Sequence, residues 1–155
     1  MDDERPHVLI VEARFYEDIA DELVKGAVAE LEARDATFDR VAVPGAFEIP
    51  AAIRFSLRAM DFIGGRRRYD AYVALGCVIR GETSHYEHIC QESARGIADL
   101  ATGYSLAIGY GILTCENRDQ AWARAAADQG NKGAAAARAA LQMVEVKRNF
   151  GLYPR

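Results

Sequence analysis

Long apolar runs, basic charge, cysteine and proline are all in short supply here, and each shortage excludes something. No stretch approaches the length of a bilayer span, and the first residues, Met1-Asp2-Asp3-Glu4-Arg5, are acidic where a secretory leader is basic. Cys77, Cys90 and Cys115 show no paired metal spacing and no disulfide framework, so they read as small buried hydrophobes in a reducing compartment. Together these features predict a cytoplasmic protein that neither enters nor crosses a membrane. The chain carries 19 Lys and Arg against 23 Asp and Glu, and its net charge of -4 leaves no basic face for a nucleic acid. Pro6, Pro44 and Pro50 fall where a strand starts, where a strand stops and where a helix takes its first turn, so no element interior is broken.

What is present is apolar content: half of the 155 residues are hydrophobic, enough for one well-cored domain spanning residues 1–155. Strand and helix signals alternate along it. His7 to Glu12 is a short β-branched run, and from Glu17 to about Arg34 the positions Ile19, Ala20, Leu23, Val24, Ala27, Val28 and Leu31 recur at helical spacing. Phe38 to Val43 predicts a second strand, and Glu48 to Met60 a second helix. Gly64-Gly65-Arg66-Arg67-Arg68 reads as a solvated surface loop. Tyr69 to Ile79 is continuously apolar, as the buried centre of a parallel sheet must be. A helix from Ser84 to about Ala101 follows, then a strand from Tyr104 to Thr114 interrupted by Gly109 and Gly111. A short helix capped by Asn117 and Gln120 runs to about Ala127, and a final Ala-rich helix extends from Lys132 to Asn149.

Strands separated by helices imply right-handed crossovers. The fold class is therefore α/β: a three-layer, flavodoxin-like sandwich with a four-stranded parallel sheet and helices on both faces. In such sheets ligands bind beyond the carboxyl ends of the strands. The least strand-like residues fall there: Arg14-Phe15-Tyr16, Pro44 to Glu48, Arg80 to His85, and Thr114 to Asn117. Of these, Gly76 to Cys90 carries the most chemistry. A strand end, the turn Arg80-Gly81-Glu82-Thr83 and a helix start at Ser84, with Glu87 completing a capping box, bring free backbone N–H groups to one place, which suits an anion. His85 stands beside it. Two familiar chemistries of this architecture do not fit. The loop after the first strand is bulky rather than the hydroxyl- and glycine-rich loop of a flavodoxin, and the third strand ends in Gly76-Cys77 rather than the aspartate of a phospho-receiver domain.

Five co-linear motifs carry a specific resemblance. Pro44-Gly45-Ala46-Phe47-Glu48-Ile49-Pro50, Gly76-Cys77-Val78-Ile79-Arg80-Gly81-Glu82-Thr83 with His85, Gly109-Tyr110-Gly111-Ile112-Leu113-Thr114, Gln120-Ala121-x-x-Arg124 and Asn131-Lys132-Gly133 resemble the 6,7-dimethyl-8-ribityllumazine synthase family over almost the whole chain. The resemblance implies the penultimate step of riboflavin biosynthesis. In it, 5-amino-6-ribitylamino-pyrimidinedione condenses with 3,4-dihydroxy-2-butanone 4-phosphate, with loss of phosphate and water and with no metal or organic cofactor. The substrate's own amine forms the Schiff base, so the protein supplies orientation, an anion hold and a proton shuttle.

By the same resemblance His85 is the catalytic proton relay, and imidazole titrates where that role requires. Gly81, Glu82 and Thr83 form the phosphate turn. Phe15 stacks on the pyrimidine, Ala46, Phe47 and Glu48 hold the ribityl chain, and Val78 and Ile79 offer backbone contacts. Arg124 grips phosphate, Lys132 approaches the pyrimidine carbonyls and Tyr110 closes the pocket, all three from a neighbouring subunit. A homopentamer with shared sites is the expected minimum, and the family's shell of twelve pentamers extends it. Read without the family, Arg124 is an exposed helix arginine, Phe15 a strand-end core residue and His88 structural, with no third ligand to make a metal site with His85. Tyr16 and Tyr110 depart from the family's usual asparagine and phenylalanine, and Ala125 to Gly130 from its usual connection. The alternative reading is a catalytically weak shell-forming or flavin-binding paralogue on the same fold.

Overall fold

A computed structural model of the chain describes residues 5–63 and 68–152. Strands β1 (His7–Ala13), β2 (Thr37–Val43), β3 (Ala71–Ile79) and β4 (Ala107–Cys115) all pair in parallel, in the order β2-β1-β3-β4. They alternate with helices α1 (Glu17–Ala33), α2 (Ile49–Ile63), α3 (His85–Tyr104), α4 (Arg118–Ala125) and α5 (Lys132–Asn149), and a 3-10 turn at Ala46–Glu48 leads into α2.

Period-two alternation along the strands sorts the core into two layers. Val8, Ile10, Val73, Leu75, Cys77, Leu113 and Cys115 face the buried sides of α1, α4 and α5. Leu9, Val11, Tyr72, Ala74, Val78 and Ile112 face α2 and α3. Ala71 to Val78 are all buried, which explains why β3 reads as one apolar run. β2, at the sheet edge, is half-buried or exposed at every position. The glycines that interrupt the fourth strand lie inside β4. A Cβ on Gly109 would fall 1.8 Å from the Ala136 carbonyl oxygen, so the strand is thinned there to let α5 lie against it.

Several element boundaries differ from the expected ones. α3 continues past Ala101 to Tyr104, and the fourth strand starts at Ala107 rather than Tyr104. The reason is Ser105, which adopts a left-handed conformation (φ 57) and closes the helix through its N–H to the Ala101 carbonyl. α2 runs on to Ile63, and the expected start at Glu48 belongs to the 3-10 turn, which leaves Pro50 in the first turn of α2. β3 begins at Ala71 rather than Tyr69. Of the arginine loop, Gly64 to Arg67 lie outside the described residues; Arg68 pairs with Asp39 at 3.2 Å. Among the described residues no helix is long and apolar enough to cross a membrane.

Candidate active site

Because β1 leads outward to β2 and β3 leads the other way to β4, their connections part above the sheet and leave a crevice at the carboxyl ends. An open cleft of about 500 Å³ occupies it. After β1 come Phe15 and Tyr16, after β2 Pro44 to Glu48, from β3 Cys77 to Ile79, and from α3 His85 and Ile89. The sheet thus brings together Phe15, Ala46, Phe47, Glu48, Val78, Ile79 and His85 from four separate stretches of sequence. Gly76 leaves room for the end of β1: a Cβ there would sit 3.1 Å from that of Ala13, a crowded contact, and at ordinary packing distance from Ala46.

Phe15 is 73% exposed and Phe47 56%, both large apolar surfaces left uncovered beside the cleft. The Phe15 ring meets Tyr16 edge-on, with centroids 4.9 Å apart. Its backbone is set from below, since the Arg14 N–H bonds the Val43 carbonyl at 3.0 Å and the Arg14 guanidinium binds Glu12, Glu17 and Asp21. The Cys77 thiol in the cleft wall is pushed up to about 12 by burial and by the neighbouring Cys115, so it stays protonated at neutral pH and forms wall rather than nucleophile.

The anion turn holds together differently from expectation. Ser84 makes no side-chain cap to α3, so the expected capping box with Glu87 is absent. Instead the Thr83 hydroxyl accepts the His85 N–H at 3.3 Å, and the Glu87 carboxylate turns to Arg80. Its own backbone N–H and then Arg80 hold that carboxyl below its ordinary range. The other expected cap is formed: Asn117 accepts the Gln120 N–H at 2.9 Å, and Gln120 accepts the Glu116 N–H at 2.9 Å.

Gly81, Glu82 and Thr83 adjoin the cleft through His85 without lining it. Tyr110, Arg124 and Lys132 do not line it either. Tyr110 projects from β4 toward α3, where burial pushes its phenol above the ordinary range. Arg124 lies exposed on α4, donating to the Gln120 carbonyl at 3.1 Å. Lys132 opens α5 behind Asn131, which takes a left-handed conformation (φ 51). Ile89 lines the cleft without having been picked out in the sequence, and Cys77, read there as a small buried hydrophobe, forms part of its wall. Ile89 was legible in principle, since it lies one helical turn beyond His85.

The architecture and this cleft define a three-layer α/β protein with a ligand crevice at the point where the strand order reverses. A sequence model of the 6,7-dimethyl-8-ribityllumazine synthase family matches residues 5–148, and the chain belongs to that family. Among its relatives, 6,7-dimethyl-8-ribityllumazine synthase 1 of Rhizobium meliloti is 57% identical over 145 residues, 94% of each chain. The 6,7-dimethyl-8-ribityllumazine synthase of Bartonella tribocorum is 55% identical over 147 residues, 95% of this chain and 93% of that one. That of Agrobacterium fabrum is 54% identical over 147 residues, 95% and 98% of the two.

Proposed function

We propose that the cleft between β1 and β3 is where this chain condenses 5-amino-6-ribitylamino-pyrimidinedione with 3,4-dihydroxy-2-butanone 4-phosphate to 6,7-dimethyl-8-ribityllumazine, the penultimate step of riboflavin biosynthesis. The observation that carries this reading is the convergence of a bare aromatic face, a carboxylate-bearing turn and an imidazole on one crevice, in a chain of this family. Phe15 stacks on the pyrimidine ring. Ala46, Phe47 and Glu48 receive the ribityl hydroxyls, with backbone groups of Val78 and Ile79 completing the hold. The substrate's amine attacks the ketone and expels water to form the imine; phosphate then leaves by elimination, and after tautomerisation the ribitylamino nitrogen closes the ring on the remaining carbonyl with loss of a second water. His85 moves protons between the reacting carbons and the departing phosphate, which the amides of Gly81 to Thr83 and the Thr83 hydroxyl receive.

Tyr110, Arg124 and Lys132 serve the cleft of an adjoining copy, Arg124 supplying a guanidinium fork to the phosphate. That none of the three lines the cleft of its own chain supports a site shared between subunits. So do the uncovered edge at β2 and the exposed Phe47, Phe55 and Phe62, an apolar surface that association would bury. The assembly is a homopentamer.

Purified protein mixed with both substrates should generate lumazine fluorescence well above the uncatalysed rate. Fluorescence at the uncatalysed rate, together with tight flavin binding, would assign the chain to the binding paralogues instead.

A further inference from the structure

We infer that Arg80 is a positioning residue that clasps the phosphate turn and His85 in place for the phosphorylated substrate; this rests on the reaction proposed above. The turn itself has little to hold it. Gly81 to His85 are exposed throughout, a Cβ on Gly81 would meet nothing within 4 Å, and Ser84 does not cap α3. Within the turn the Thr83 hydroxyl takes the His85 N–H at 3.3 Å, a long hydrogen bond.

Arg80 closes this segment from both ends. Its N–H extends the sheet by bonding the Cys115 carbonyl at 2.9 Å. Its Nε donates to Glu116 at 2.7 Å, another guanidinium nitrogen donates to Glu87 in the first turn of α3, and the guanidinium plane lies 4.3 Å from the Tyr86 ring centroid. One side chain therefore spans the turn, joining the exit of β3 to the residues just beyond His85. Glu116 is secured in turn, its N–H held by Gln120 at 2.9 Å, and Gln120 accepts from Arg124 through its carbonyl.

Exposed ion pairs contribute little stability singly, but a planar fork bridging two carboxylates over an aromatic face fixes geometry. With both carboxylates engaged, Arg80 acts through the amides and imidazole it orients, not as the phosphate's own ligand. A lysine at 80 keeps the charge but cannot bridge and stack at once.

The test compares Arg80→Ala and Arg80→Lys with Arg95→Ala, which breaks the exposed pairs to Glu92 and Asp99 farther along α3. Misplacing reacting groups by about 1 Å costs up to about a hundredfold. Arg80→Ala should lower kcat about tenfold or more and raise KM for the butanone phosphate, with KM for the pyrimidine and the thermal midpoint unchanged. Arg80→Lys should recover little of this, and Arg95→Ala should behave as wild type. Orthophosphate binding, followed by phosphorus NMR, should weaken in both Arg80 variants. Wild-type kinetics and phosphate binding in Arg80→Ala would overturn the inference, as would a parallel loss of stability and of affinity for both substrates, which marks a merely structural role. Should the wild-type protein form no lumazine, the proposed reaction fails, and the orthophosphate measurement alone then decides the role of Arg80.

Discussion

Glu12 is 3% exposed near the end of an apolar strand, and it is accepted there because two guanidinia meet it: Arg40 at 2.8 Å through Nε and one terminal nitrogen, and Arg14 at 2.8 Å. Burial pushes its carboxyl up, yet Arg40 and then Arg14 outweigh that, and the group is held below its ordinary value. The folded protein thus binds this proton more weakly than the unfolded chain does. Its contribution is complete at neutral pH and fades as the pH falls below the ordinary carboxylate range. Glu12→Gln should cost about 1.5–3 kcal/mol in denaturant unfolding at pH 7, with the gap to wild type closing toward pH 3. A gap that widens in acid would contradict the sign. Arg14 also fixes the corner from which Phe15 projects, so the same variant should weaken pyrimidine binding. None of this was legible in the sequence, where Glu12 reads only as a strand end, because its partners come from β2 and from beyond β1. The place of His85 at the cleft was legible, since it depends on a local turn and the helix start beside it.

At the scale of elements, the closest approach that decides the packing is α5 against β4. Gly109→Ala would place a methyl 1.8 Å from the Ala136 carbonyl, and backbone on both sides leaves nothing flexible to yield. It should destabilise the fold by about 3 kcal/mol, read as a lowered thermal midpoint, and overpacking of this kind is what such a cost reflects. A midpoint unchanged by the substitution would show that α5 can lift off the strand. The identities of the elements were readable because period-two and helical spacings are local signals. Their ends were not. Ser105 stops α3 by turning left-handed, which no residue preference announces, and Glu87 abandons its expected cap because Arg80, seven residues earlier, offers a charged partner.

For the whole molecule, the prediction concerns which chain supplies which group. His85→Ala alone should slow turnover about a hundredfold while barely changing pyrimidine affinity, and Arg124→Ala should chiefly raise KM for the butanone phosphate. If sites lie between subunits, dissociating the two variants, mixing and reassociating them should restore activity, because some boundaries then pair an intact His85 with an intact Arg124. Absence of recovery, with light scattering showing a mixed assembly of five times the 17.0 kDa chain, would place both residues in one chain's site. The sequence by itself determined the alternation of strands and helices, the buried character of β3 and the turn that carries His85, because each depends on neighbours a few residues away. Only the tertiary structure decided that Phe15, Phe47, Val78 and His85 share one cleft while Tyr110, Arg124 and Lys132 stand apart from it. It also decided that Arg80 clasps the turn. These are consequences of strand order and of contacts between residues tens of positions apart, where chain connectivity leaves no local mark.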